Sequence, residues 1–307
     1  RFGGGIISHN TAITLDSLII ENNEAFAGGG ICIYNDYSTE TESTLINSII
    51  ENNIASEGGG VFTINQSLNI INTNIYNNGM VPFGSGGGIQ ALVANINIIN
   101  SIISNNHSRF GGGVYIGSSS SYIEKTIISN NFSDSKGGGL WVGSGSELDL
   151  SELLIANNFA DGFGGGIFIY SSDVSIDRST VVDNTISSNA SGAGIFVDTG
   201  SSIIQNSITY FNRIENNNSI NHNLNGSSSN YFNEYSVSFS NIEGEQGWVP
   251  SGVGIISNNP GFEEDSYFLS ESSICIDAGN PDSPLDSDQT VADLGAFYFN
   301  QAEVQCT

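Results

Sequence analysis

Apolar and polar residues alternate along this chain in short runs, as in Val61-Phe62-Thr63-Ile64 and Val114-Tyr115-Ile116, and each run soon gives way to Gly, Asn or Ser. A period of two over four or five residues rich in Ile, Val, Thr and aromatics predicts β-strands. No stretch carries the 3.6-residue period of a helix, and glycine at this density would cost a helix roughly 1 kcal/mol per residue. The expected unit is strand, turn, strand, turn, strand, turn.

The runs recur at a fixed spacing. GGG followed by an apolar residue starts at Gly3, Gly28, Gly58, Gly86, Gly111, Gly137 and Gly164, and the degenerate Gly192-Ala193-Gly194-Ile195 makes eight. Successive starts are 25, 30, 28, 25, 26, 27 and 28 residues apart. Asn-Asn pairs beginning at Asn22, Asn52, Asn77, Asn105, Asn130 and Asn157 each lead the next GGG by six to nine residues, with Asp183-Asn184 in the last place. A repeat of this length is the signature of a solenoid. About 27 residues hold three short strands and three turns, one coil of a parallel β-helix, with each strand pairing its equivalent one coil away at about 4.8 Å. The expected fold is therefore all-β, a right-handed parallel β-helix of roughly 8–10 coils and about 40–50 Å long, since parallel crossovers are nearly always right-handed. The glycines suit positive φ and close backbone approach at a corner. The asparagines tolerate the left-handed region, and their amides can bond the identical amide above and below, which predicts an Asn ladder along one corner.

Residues 1–244 are read as coils, with an Asn/Ser-rich irregular coil at about 209–236, and 245–307 as a capping segment that leaves the repeat. The chain opens within a repeat and without methionine, as expected of a piece of a longer polypeptide. The formal charge is −26, from 6 Lys plus Arg against 32 Asp plus Glu. This argues against a nucleic-acid partner, because phosphate binding needs the basic residues that are scarce here. No apolar run approaches membrane-spanning length, and no signal peptide is evident. Cys32, Cys275 and Cys306 lack metal-ligand spacing; Cys275 and Cys306 could pair in an oxidising compartment.

Several words of the C-terminal third carry a resemblance. Asn206-Ser207-Ile208, Ser240 to Gly244, Asn259 to Phe262, Ser273-Ile274-Cys275-Ile276-Asp277-Ala278-Gly279 and Asp293-Leu294-Gly295-Ala296-Phe297 resemble the C-terminal module of bacterial right-handed parallel β-helix repeat proteins. Cys275 replaces the usual Ala, and Phe297-Tyr298-Phe299 stands where an acidic residue often does. The upstream GGG and Asn-Asn repeats are more loosely similar to those of polymorphic outer-membrane adhesins. The resemblance implies a secreted or cell-surface bacterial protein and no single activity.

Three sets of residues are candidates for chemistry. In each GGG strand the second residue should point out of the coil, giving the column Ile7, Cys32, Phe62, Gln90, Tyr115, Trp141, Phe168 and Phe196. Its five aromatics form either a platform for sugar rings or a partner, or a stack roofed by loops. His107, Arg109 and Lys136 share the turn before GGG on adjacent coils, with Asp134 and Asp161 in equivalent turns. They are the weak catalytic candidates, a base and cations for a polysaccharide lyase acting on an acidic glycan, or else ordinary charge compensation in a loop. Asp286, Asp288 and Asp293 form an oxygen-rich turn that suits Ca²⁺ or is simply solvated. The function expected is binding, adhesion or a structural surface role, through an aromatic-lined face to a glycan or protein, or by self-association through an open N-terminal coil. The alternative is a polysaccharide lyase or glycoside hydrolase. A −26 surface disfavours polyanionic substrates, which supports binding.

Overall fold

The computed structural model describes residues 2–37, 41–79, 84–187, 190–215, 217–221, 223–226, 235–244 and 250–301. Its strands stack as parallel coils. Three walls run its length: a first wall of the strands after each GGG, a second wall of the strands after those, and a third wall of two- or three-residue strands. One coil reads Leu140–Gly143, Glu147–Ser151, Leu154–Ala156 and then the short Phe159–Ala160. In two coils the first and second walls merge into single strands, Ile167–Asp177 and Ile195–Gln205. The third wall holds nine strands among the described residues. Register is one repeat throughout the first wall, so Tyr115 pairs with Trp141, Trp141 with Phe168 and Phe168 with Phe196.

Stacking explains both repeat words. In Gly111-Gly112-Gly113 the first glycine has φ of 63°, and a Cβ on the second would collide with the carbonyls of Phe132 and Gly138 on the next coil. The third faces the side-chain amide of Asn131, which a Cβ would meet at 3.0 Å. The two asparagines of each pair divide the labour. The first takes the left-handed turn, with φ of 53–57° from Asn22 to Asn157 and an aspartate, Asp183, in the same role. The second forms the ladder. Asn106 Nδ2 donates to Asn131 Oδ1 at 3.1 Å, Asn131 to Asn158 at 3.0 Å, Asn158 to Asn184 at 2.9 Å and Asn184 to Asn212 at 2.9 Å. Each such amide also donates to a carbonyl of the preceding coil, as Asn131 does to Ile103 O at 3.0 Å. Buried side-chain amides are thus satisfied in both directions. A second ladder of Ser48, Thr73, Ser101 and Thr126, then past Leu153 of Ser179, Ser207 and Ser240, lies at the corner before the third wall, as in Thr73 N–H donating to Ser101 Oγ at 3.1 Å. Ser and Thr are common enough here that spacing alone hid it.

The core is the column of inward Ile, Leu and Val from all three walls, running from Leu15 to Ile242. The segment expected as an end cap does two things. Residues 250–256 add a partial turn below the last coil, with Ile256 bridging Asn241. The chain then doubles back along the outside of the third wall, where Phe262, Tyr267 and Phe297 pack on Leu154, Ala156 and Val182. Outward third-wall positions are accordingly Glu21, Glu51, Tyr76, Ser104 and Ser129 on the bare coils and Ala156, Val182 and Tyr210 beneath the tail. Arg178 Nη2 donates to Pro284 O at 2.7 Å, and Gly295 N–H donates to Asn206 O at 2.9 Å, fixing the tail in place.

Candidate functional site

The first-wall column points out of the coil as expected, but it is not an open platform. Phe62, Trp141, Phe168 and Phe196 are 6, 8, 1 and 5% exposed. The rings cover each other: Tyr115 and Trp141 stack with centroids 4.1 Å apart and planes 3° apart, and Phe168 and Phe196 at 5.6 Å and 5°. Rings on coils about 4.8 Å apart meet nearly face to face and exclude water between them. Phe110 and Phe163, from the corner before GGG, close one flank, and Tyr34, Ile64 and Leu92 pack against the upper part of the column. The structure therefore assigns Phe62, Trp141, Phe168 and Phe196 to a second apolar core outside the sheet. Cys32 in the same column is buried, which pushes its thiol up to about 11.

His107, Arg109 and Lys136 are each engaged by a different neighbour. His107 Nε2 lies 2.9 Å from Asp134 Oδ1 and its ring is edge-on to Phe132. The Arg109 guanidinium lies over Phe110 at 5.1 Å. Lys136 turns onto the aromatic column, its Nζ 4.6 Å from the centre of Phe168 and 5.7 Å from that of Phe163. Asp161 takes no side-chain bond to any of them; its backbone bonds Ser133 and Ser187.

The acidic turn is organised by backbone N–H groups. Asp286 Oδ2 accepts from Asp293 N–H at 2.7 Å, and Asp288 accepts from Thr290 Oγ1 at 2.7 Å and Gln301 N–H at 2.9 Å. Asp293 accepts from Asp277 N–H at 2.7 Å and Phe299 N–H at 2.5 Å. Asp286 and Asp293 are buried, and burial pushes both carboxyls up, Asp293 to about 6. Among the described residues no metal-ligating cluster of His, Cys, Asp or Glu forms. Through these bonds Asp286, Asp288 and Asp293, the expected ligand set, tie the tail's turns together. Cys306 lies outside the described residues, and Cys275 is buried with Asn241 Nδ2 3.3 Å from its Sγ.

The surface that does open to solvent is one wall further on. On the second wall the outward residues Ser120, Glu147, Asp173 and Ser201 form one column, and Tyr122, Asp149, Ser175 and Ile203 the next. Together they line a trough of about 370 Å³. Tyr122 and Ile203, 40 and 53% exposed, rise at its two ends. Three coil steps separate them, about 14 Å. Between them the floor is carboxylate and hydroxyl, with Ser201 Oγ donating to Asp173 Oδ1 at 2.6 Å. Short side chains in the middle of the wall make the depression. In the sequence its only trace is the polar member of each alternating pair in the second strand.

A continuous stack of parallel coils with buried polar ladders defines the class: a parallel β-solenoid. Residues 37–209, more than half of the chain, match the family described as the right-handed β-helix region, and the chain belongs to that family. No single curated protein and no solved structure matches it.

Proposed function

We propose that this chain is a secreted or cell-surface β-helix that works by holding a glycan, and that the second-wall trough is where it does so. The observation that carries this is the trough's combination of an exposed tyrosine ring at one end, an apolar isoleucine at the other and a floor of Glu147, Asp149, Asp173, Ser175 and Ser201. Carboxylates and hydroxyls accept and donate to sugar hydroxyls, while a ring face packs on the apolar face of a sugar. The floor carries no cation, and the chain as a whole is −26, so the ligand is a neutral or amino-bearing glycan rather than a polyuronate. Family membership fits a surface or polysaccharide-related protein and does not by itself choose between adhesion and catalysis.

The test is titration with neutral, amino-bearing and uronic oligosaccharides, with new reducing ends and unsaturated products followed in the same samples. Binding of a neutral or amino-bearing oligosaccharide that weakens at least tenfold in Tyr122→Ser and Asp149→Ala supports the reading. Chain cleavage would move the protein to the enzymes, and binding untouched by both substitutions would remove the trough.

A further inference from the structure

The second outward column of the first wall runs Tyr34, Ile64, Leu92, Gly117, Gly143, Tyr170. Two successive glycines interrupt it between Leu92 and Tyr170 and make room for two neighbouring rings, beside which a notch opens. The rings of Tyr115 and Trp141 reach over these glycines: a Cβ at Gly117 would lie 3.5 Å from Tyr115 Cε1, and one at Gly143 would collide with the Trp141 ring. The notch holds about 210 Å³ and is lined by Phe110, Tyr115, Lys136, Trp141, Phe168 and Tyr170.

Lys136 is the informative member. The other corner residues at its position are Phe2, Ala27, Glu57, Ser85, Phe110, Phe163 and Ser191, none of them basic. In a chain with 32 acidic residues and 6 basic ones, a lysine should find a carboxylate. Lys125 has Glu124 at 2.9 Å and Arg213 has Glu243 at 2.7 Å. Among the described residues no carboxylate lies within ion-pair distance of Lys136, which faces rings alone. A cation held at the rim of an aromatic box, away from water on one side, is a stronger partner for an anion than the same cation in bulk solvent.

We infer that this notch binds a small aromatic carboxylate, its ring against Tyr115, Trp141 and Tyr170 and its carboxylate on Lys136. Apart from the ammonium, the side-chain polar groups lining it are two tyrosine hydroxyls and the indole N–H, too few to satisfy a sugar's hydroxyls and enough for one flat ring with one anionic group. The site is distinct from the trough, although both draw on the strand Ile167–Asp177, through Tyr170 and Asp173.

Benzoate is the probe, with acetate and benzyl alcohol as the anion without the ring and the ring without the anion. Binding is read from the shift of the Trp141 indole N–H resonance, assigned with Trp141→Phe. Benzoate should shift it saturably, with acetate and benzyl alcohol each roughly tenfold weaker. Lys136→Met, which keeps an apolar stem on Phe168, should weaken benzoate roughly tenfold and leave benzyl alcohol unchanged. Gly117→Leu, whose side chain would displace the Tyr115 ring with Lys136 in place, should abolish benzoate binding, while Tyr122→Ser in the trough should leave it unchanged. No saturable shift with benzoate, equal binding by Lys136→Met, or loss on Tyr122→Ser would each overturn the assignment.

Discussion

The first and second walls have the same strand geometry and opposite surfaces. On the first, residues that point away from the helix interior are buried: Trp141 and Phe168 are 8 and 1% exposed. On the second, residues that point the same way are open, Tyr122 at 40% and Ile203 at 53%. Direction out of a coil is therefore not exposure. What decides is the residue one coil above and below. Bulky rings in register at about 4.8 Å seal the gap between them, whereas Tyr122 is followed by Asp149 and Ser175, which are too small and too polar to seal anything.

The sharpest way to break this comparison is to treat an outward residue as core. Phe168→Ala removes a ring buried among Trp141, Phe196 and Lys136, and should cost about 3–5 kcal/mol in denaturant unfolding, as for an interior phenylalanine. A cost below about 1 kcal/mol would mean that the ring is open in solution and that the first wall is a platform after all.

The Asn corner faces the glycines that lead into the first wall and bonds the third, so its integrity comes next. Asn131 accepts from Asn106 N–H and Nδ2 and donates to Ile103 O and Asn158 Oδ1. Asn131→Gly would strand several buried partners at about 1–3 kcal/mol for each group left unpaired, and about 3 kcal/mol in all is expected. Its neighbour has a different job: Asn130 sits at φ of 55°, a conformation glycine adopts freely, so Asn130→Gly should change stability by less than about 1 kcal/mol. Equal costs from the two substitutions, compared by denaturant melts, would contradict the division of labour.

The contrast between those two asparagines also shows where the sequence is readable. The fold was legible because a stacked coil imposes its demands once per repeat, so that GGG, Asn-Asn and the alternating Ile and Val recur at one period. The direction of the first-wall column followed from the same period. Its burial did not, because that depends on Phe110 and Phe163, corner residues from outside the strand, and on ring registry between coils. The tail's path was likewise hidden, although the outward third-wall column changes from Glu21 and Glu51 to Ala156 and Val182 where the tail covers it. The trough stayed illegible because Glu147, Asp149 and Asp173 are three acids among many until stacking puts them side by side.

The third wall extends the comparison, since there burial comes from a distant segment. Asp293 anchors that segment, with its carboxyl pushed up to about 6 from an unfolded value of 3.8. Between those values the folded chain binds more protons than the unfolded one, so this group's contribution is fully present below about pH 4 and fades as pH rises through 6. Asp286 and Asp183 are raised by burial and act in the same direction. Asp288 is lowered, with side-chain and backbone donors outweighing the burial that opposes them, and acts oppositely only in more acid solution. The melting temperature should be higher at pH 5 than at pH 7, by less in Asp293→Asn, which also leaves one of two N–H donors unpaired. A melting temperature that climbs from pH 5 to 7 would show that the tail is held by other groups. Because Asp286, Asp288 and Asp293 each already accept at least one N–H donor, exchanging EDTA for millimolar calcium should not move it.

The smallest effect on stability belongs to the trough, and it is the one that separates function from fold. Tyr122 is 40% exposed, and the residues next to it on the adjacent strands are Asn97 and Asp149, neither of which packs a ring against it. Its truncation to serine removes little buried area and strands no polar group, so unfolding should shift by no more than about 0.5 kcal/mol. The same truncation takes away the one ring face at the trough's end and should weaken a bound oligosaccharide at least tenfold. Stability and binding thus move together for Phe168 and apart for Tyr122. If Tyr122→Ser unfolds the chain as readily as Phe168→Ala does, the second wall is sealed like the first and the distinction between the two faces fails.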